Sequence, residues 1–293
     1  MKKYLPILCL IILIGLLCAC GNQPEKAAAF KKDNENEEIV SSGSCGDNAV
    51  WELSKDGTVT ISGSGEMWDY DAHEESNRSP WSWDDSIKKV VVKEGIQSIG
   101  VDAFFGCSEL KTVSLPKSLL RVSGGAFAGC FSLGDVTIPQ NVEVIETGVF
   151  LDCISMENIY VEDGNQAFVS DNGVLYDHDF ETLLVCPAGK TGSFNIPDGI
   201  TSIEFHAFYG SLLNEITIPE SITCLGEFAF CKCDGLTTIT IPSSVTKIEY
   251  GVFIWCDSLA NVYFLGSEEQ WNNIAIDSRN DRLEQADIYY DMD

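Results

Sequence analysis

The chain repeats itself every 23 residues, and no other feature restricts its fold as much. Leu115-Pro116, Ile138-Pro139, Ile218-Pro219 and Ile241-Pro242 mark one position of the repeat. The steps from Pro116 to Pro139 and from Pro219 to Pro242 are both 23 residues. Ile196-Pro197 is a further copy, and Val92-Lys93, Val161-Glu162 and Phe264-Leu265 keep the register without proline. Successive steps are then 23, 23, 23, 35, 22, 23 and 23 residues. Aligned on this mark, Val, Ile, Leu or Phe stands three residues and one residue before it, as in Val113 and Leu115 or Ile239 and Ile241. Two residues apart, such side chains share one face of a short strand. More apolar columns follow three and six residues after the mark. Eleven after it comes a phenylalanine column: Phe104, Phe127, Phe150, Phe208, Phe230 and Phe253. Fourteen after it stand Cys107, Cys130, Cys153, Ser211, Cys233 and Cys256.

A fixed apolar pattern with a period of about 20–29 residues specifies a solenoid. No coil can bury its apolar face alone, so coils stack about 4.8 Å apart and turn each column into a continuous ladder. Proline after the strand ends its pairing and turns the chain. The expected fold is β-rich, with short strands, turns and little helix. The motif Gly-Ala-Phe-x-Gly-Cys-x-x-Leu, whole at residues 125–133, followed by Val-x-Ile-Pro at 136–139, resembles the BspA-type (Treponema pallidum-type) leucine-rich repeats. The resemblance covers about residues 87–265. It implies a leucine-rich-repeat solenoid of 23-residue coils on a cell surface, binding protein or mediating adhesion, with no chemistry of its own.

One unit departs from the pattern. Between Glu162 and Pro197 the Phe and Cys columns vanish. Asn172-Gly173 and Asp177-His178-Asp179 are turn signals flanking apolar runs. A β-hairpin insertion over about 163–190, replacing one arch and protruding, is expected there. Tyr176, Asp177, His178, Asp179 and Phe180 are then candidate contact residues; the alternative is an inert hairpin that covers a gap in the ladders.

Both ends need covers. Residues 45–86 read as an N-terminal β cap, since Val50-Trp51-Glu52-Leu53 and Thr58-Val59-Thr60-Ile61 alternate around Asp56-Gly57. Trp51, Trp68, Trp81 and Trp83 fall within it. They either fill the cap core or, where exposed, stack on a sugar or a partner side chain, which makes Trp81 and Trp83 candidate contacts. Residues 266–293 read as a small C-terminal cap. In it Ser267 is placed to cap a helix with Gln270 at its third position, and Ile288-Tyr289-Tyr290 is placed as a last strand.

The N-terminus carries Lys2 and Lys3 and then an apolar run over residues 5–17. That run falls short of the roughly 20 residues a spanning helix needs, and it reads as a signal peptide. Leu17-Cys18-Ala19-Cys20 resembles a bacterial lipobox. The resemblance implies removal of residues 1–19 and a diacylglycerol on the Cys20 sulfur, worth about 0.8 kcal/mol per buried CH₂. Residues 20–44 then form the lipidated end and a flexible tether. The implied location is the bacterial envelope, lipid-anchored and facing outward.

Charge and chemistry narrow the function. Forty-five acidic against 18 basic residues give a net charge of −27. A phosphate backbone is repelled by such a surface, which excludes a nucleic-acid partner. His73, His178 and His206 form no metalloprotease spacing, and no Ser/His/Asp or Cys/His site assembles locally, so no catalytic residue and no enzyme is expected. Cys224, Cys231 and Cys233 invite a zinc reading, but their columns do not converge, and neither metal nor cofactor is expected. Stacking would bring ladder cysteines within the roughly 4.4–6.8 Å between Cα atoms that a disulfide spans. Ser211 in the same column, and the ease with which Cys packs as a small apolar residue, favour free thiols. The expected partner is a protein or glycan at the cell surface, with the membrane reached through the lipid. The alternative is a structural or accessory envelope lipoprotein, a spacer or a scavenger of glycans and peptides.

Overall fold

A computed structural model describes residues 38–291. The expected signal peptide, Cys20 and the part of the expected tether up to residue 37 lie outside the described residues. The repeat becomes a solenoid of parallel strands whose register equals the period: Val136 pairs with Ile159, Ile216 with Ile239 and Ile239 with Val262. Each regular coil contributes one strand before the proline mark, such as Val136–Ile138, and a short strand of two to four residues after it, such as Val144–Ile145 or Ile96–Ile99. The two strands belong to separate parallel stacks.

The arch between one coil's second strand and the next coil's first carries the motif. Its backbone turns through two left-handed residues, Gly125 (φ 66°) and Gly129 (φ 74°) in the Phe127 coil. These are the first and last glycines of Gly-Ala-Phe-x-Gly, so the motif's spacing is the spacing of two positions where a side chain costs roughly 1–2 kcal/mol. Between them, phenylalanine points inward. Phe104, Phe127 and Phe150 stack at 5.4 and 5.9 Å, and Phe208, Phe230 and Phe253 at 4.8 and 5.5 Å. The column cysteines lie beneath. Each thiol donates to the carbonyl of an arch residue one coil earlier, as from Cys130 to Phe104 (3.2 Å) and from Cys256 to Phe230 (2.9 Å). The nine described cysteines are all free.

At the N-terminal end, Ala49–Ser54 and Thr58–Gly63 form the expected hairpin, and Thr58–Gly63 runs parallel to Lys89–Val92 of the first coil. Residues 39–44, expected as the end of the tether, instead form an antiparallel edge strand, Ile39–Ser44, on Ala49–Ser54. All six of its side chains are exposed, so only its backbone is engaged and no apolar alternation announces it. Gly43 is required there, since a Cβ would come within 2.9 Å of the Trp51 indole nitrogen. At the other end Ser267 and Gln270 form the expected capping box on helix Glu268–Trp271. A second helix, Asp281–Gln285, was not expected. Strand Asp287–Tyr290 then pairs parallel with Asn261–Leu265, adding one more coil.

The 35-residue unit also differs from expectation. Phe168–Asp171 and Val174–Asp177 do form a hairpin, but a third strand, Thr182–Val185, pairs with the second and joins Ser202–Ile203. The insertion does not protrude as a hairpin of exposed residues, since Val174, Leu175 and Tyr176 are all buried. Leu175 packs into an N-terminal core that begins at Cys45, whereas Val174 and Tyr176 pack into a C-terminal core that ends at Leu283. The strand is thus a partition with an apolar side chain for each core. Asn165 pins its approach: Nδ2 donates to Pro139 and Val142 carbonyls (3.0 Å each), and Oδ1 accepts from the Ala167 and Phe168 N–H groups (2.8 Å each).

Candidate functional site

Several expected contact residues serve the interior instead. Tyr176 is fully buried, and its ring lies 4.5 Å from Phe180. Trp81 is buried too, stacked at 5.3 Å on Phe104 and donating from Nε1 to the Ala103 carbonyl. As core side chains, neither can meet a ligand. Tyr176 sits in an apolar run that fills both faces of the partition, and Trp81 extends the phenylalanine ladder by one ring. Asp177 Oδ1 accepts the Glu181 and Thr182 N–H groups (2.8 and 2.9 Å) and so closes the turn. His178 and Asp179 form its exposed tip, with Phe180 half-buried. Trp83 is 52% exposed, edge-on to Phe105 at 5.1 Å. The tip belongs to the insertion and Trp83 packs on the first coil, so they are two separate features.

A concavity lies where the partition replaces an arch. In regular coils, the N–H of the column phenylalanine and the N–H two residues later donate to carbonyls of the following arch. Phe127 donates to Val149 (3.0 Å) and Gly129 to Leu151 (2.8 Å). Phe208 donates to Ala229 (2.9 Å) and Gly210 to Cys231 (3.1 Å). Between the Phe150 arch and the Phe208 arch the chain supplies only the end of the third insertion strand. Cys186 there donates its N–H to the Ala207 carbonyl (2.7 Å). What remains is a cleft of about 340 Å³. Phe150 and Leu151 line one wall, Leu184 and Ala188 the floor, and Phe205, His206 and Tyr209 the other wall.

Aromatic side chains continue from the rim over the next two coils. His206 lies 3.9 Å from Phe205, 5.1 Å from Tyr209 and 5.7 Å from Phe228 between ring centroids. Phe228 in turn meets Tyr250 edge-on at 5.4 Å. Phe205 and Tyr250 are each 38% exposed. Burial lowers the His206 pKa and so favours the neutral imidazole. Lys232 reaches Asp152 at 2.6 Å and lies 5.5 Å from the Tyr209 ring centroid, which ties the Phe230 arch to the Phe150 arch. Desolvation works against the Lys232 charge, but the Asp152 hydrogen bond and carboxylate outweigh it and raise its pKa.

Sequence reasoning missed this site, although signals for it exist. Phe205, His206, Phe228 and Tyr250 occupy slots eight and nine after the mark, where earlier coils have Val101-Asp102, Gly124-Gly125 and Thr147-Gly148. The cysteine beneath the cleft is not poised for nucleophilic chemistry, because burial pushes the Cys186 thiol up to about 12. Cys224, Cys231 and Cys233 do not combine into a metal site, and no group of three metal-binding side chains occurs among the described residues.

Six copies of the BspA type leucine rich repeat region match residues 78–173 and 188–289, leaving the centre of the partition unmatched. The crystal structure of a leucine-rich repeat protein from Eubacterium ventriosum is similar to 78% of this chain over 73% of its own, with 28% identity and a TM-score of 0.51. The pneumococcal vaccine antigen PcpA is 16% identical, over 86% of this chain and 94% of that one, with a TM-score of 0.46. The Treponema pallidum leucine rich repeat protein is 21% identical, over 71% and 86%, with a TM-score of 0.34. No curated protein matches the chain.

Proposed function

Because the chain belongs to the BspA-type leucine-rich-repeat family, we propose that it is a bacterial surface lipoprotein that binds a protein ligand at the cleft and along its aromatic rim. The observation that carries the reading is the continuity of the two: Phe205, His206 and Tyr209 line the cleft, and the rings run on through Phe228 to Tyr250. A contiguous apolar patch beside a concavity, on a chain of net charge −27, is a binding feature rather than a solvated face. Catalysis is not part of the proposal. The buried cysteines are held as thiols by desolvation, and His206 faces aromatic rings.

Display rests on the N-terminal sequence. Residues 1–19 would leave as a signal peptide, and Cys20 would carry the lipid. The test expresses the full chain on a bacterium and measures adhesion to host cells or immobilised matrix proteins. The Phe205→Ser/Phe228→Ser double variant should lower adhesion at equal surface density. Cys20→Ala should release the protein from the membrane fraction. Unchanged adhesion would remove the cleft and rim from the function and favour a passive spacer. Unchanged membrane association of the Cys20→Ala variant would remove the lipid anchor.

A further inference from the structure

The cleft has the polarity of a missing piece of backbone. In the regular coils, the phenylalanine N–H and the N–H two residues on point toward the next arch and are accepted there. The corresponding donors of the last coil before the partition, Phe150 N–H and Asp152 N–H, find no acceptor among the described residues. Across the cleft, the Tyr209 carbonyl occupies the position at which Leu151 accepts from Gly129, and it finds no donor among the described residues. The other carbonyl of that wall, Ala207, is taken by Cys186 N–H. The end of the solenoid is treated differently, for there Asn280 Oδ1 accepts the Phe253 N–H at 3.1 Å. The chain thus caps one of the two equivalent donors of the last arch with a side chain, and neither of those in the middle.

The side-chain ladder is open at the same place. Phe150 stacks on Phe127 and on no second ring among the described residues, and it is one of the residues that line the cleft. The far wall needs no second ring, since Phe194 already covers Phe208 at 6.1 Å. An occupant that repeats the arch would therefore bring two acceptors spaced two residues apart, one N–H for Tyr209, and one aromatic ring for Phe150. It would be flanked by small residues, because neighbouring arches approach closely: a Cβ on Gly129 would lie 3.3 Å from the Gly106 Cα. At about 340 Å³ the cleft takes a few residues and not a folded domain.

We propose that the cleft receives a short peptide segment of a protein ligand, an aromatic residue between small ones, whose backbone pairs with Phe150, Asp152 and Tyr209 in place of the absent arch. This is strand addition carried out inside a ladder instead of at a sheet edge. The inference rests on the binding function proposed above and names the chemistry of what that site takes.

The test uses the full-length protein and a synthetic hexapeptide with the sequence of residues 125–130, capped at both ends and carrying serine in place of the cysteine. Saturable binding is expected, together with slowed hydrogen exchange at the Phe150 and Asp152 amides. Replacing the peptide's phenylalanine by alanine should weaken binding about tenfold or more. N-methylating its last glycine, which removes the donor for Tyr209, should weaken it as well. Val185→Trp in the protein narrows the cleft and should abolish binding. If that variant does not fold, the exchange measurement on the unaltered protein still decides. No binding at millimolar peptide, binding without slowed exchange at those two amides, or protection by maltohexaose in place of the peptide overturns the inference. The adhesion assay judges the broader function separately when Phe228→Ser is made alone, because Phe228 lies outside the cleft lining.

Discussion

Truncating two neighbouring rungs of the same ladder should give unequal losses. Phe127 is fully buried and stacks on Phe104 at 5.4 Å and on Phe150 at 5.9 Å. Phe150 is 7% exposed, stacks in that ladder on Phe127 alone, and lines the cleft. A core Phe→Ala change costs about 3–5 kcal/mol through lost transfer energy and the void left behind. A stacked pair contributes about 0.5–1.5 kcal/mol beyond burial. Phe127→Ala loses two pairs and leaves a sealed void, whereas Phe150→Ala loses one and widens a cleft that water already reaches. The first should therefore exceed the second by about 1–2 kcal/mol. Urea unfolding measures the totals. Hydrogen exchange resolves where they fall, because coils touch only their neighbours and the partition separates two cores. Protection should drop between residues 87 and 160 and persist across the Phe208 to Phe253 coils. Equal losses for the two variants, or loss of protection spread evenly over both cores, would refute the account of the cleft as a break in the ladder.

Three further outcomes follow from the same geometry. Eight of the nine described cysteines are buried and Cys224 is half-exposed, so iodoacetamide at neutral pH should label Cys224 first and the others only on unfolding, as read by mass spectrometry. Burial holds the His206 pKa below its unfolded value, so between those two values the unfolded chain binds the extra proton. Stability should therefore fall as pH drops from neutral through the ordinary histidine range, and His206→Gln should flatten that part of the wild-type profile in denaturant titrations. Asn165→Ala strands two carbonyls and two N–H groups at the entrance to the partition. It should cost about 3 kcal/mol or more in the same titrations, and a loss below about 1 kcal/mol would show that Asn165 does not pin the insertion.

The solenoid was legible because every coil repeats the same decisions. A column misread in one coil is corrected in five others, and the register of the parallel strands is the period itself. The terminal hairpin and the Ser267/Gln270 capping box were legible because their signals are local. Elements that occur once and are held by the backbone were not. Strand Ile39–Ser44 buries no side chain, and helix Asp281–Gln285 buries only Leu283. The partition falls between these cases. Its turns were placed correctly at Asn172-Gly173 and Asp177-Asp179, but Val174, Leu175 and Tyr176 are apolar in succession. Such a run marks a strand covered on both faces, which a protruding hairpin is not.

The site was harder to read because it consists of what one unit lacks and of residues in slots where the other coils carry none of interest. Those slots have a measurable property. His206 (φ 62°) and Phe228 (φ 55°) occupy the left-handed position that Gly125, Gly148 and Gly251, and Asp102 (φ 50°) in the first coil, fill elsewhere. A side chain there costs roughly 1–2 kcal/mol that glycine would avoid, and strained residues concentrate where function retains them. The strain can be separated from the ring. Phe228→Ala removes the ring and keeps the strained backbone; Phe228→Gly removes both. In most sites glycine is the less stable of the two by about 0.5–1 kcal/mol. Here the order should invert, with the glycine variant about 1 kcal/mol more stable than the alanine variant in urea titrations. If alanine proves equal or better, the backbone is not strained at Phe228 and nothing about its retention calls for a functional cause. If the order inverts and both variants lose adhesion equally, the ring is kept at the expense of stability, as expected of a residue that meets a ligand and not of one that only packs.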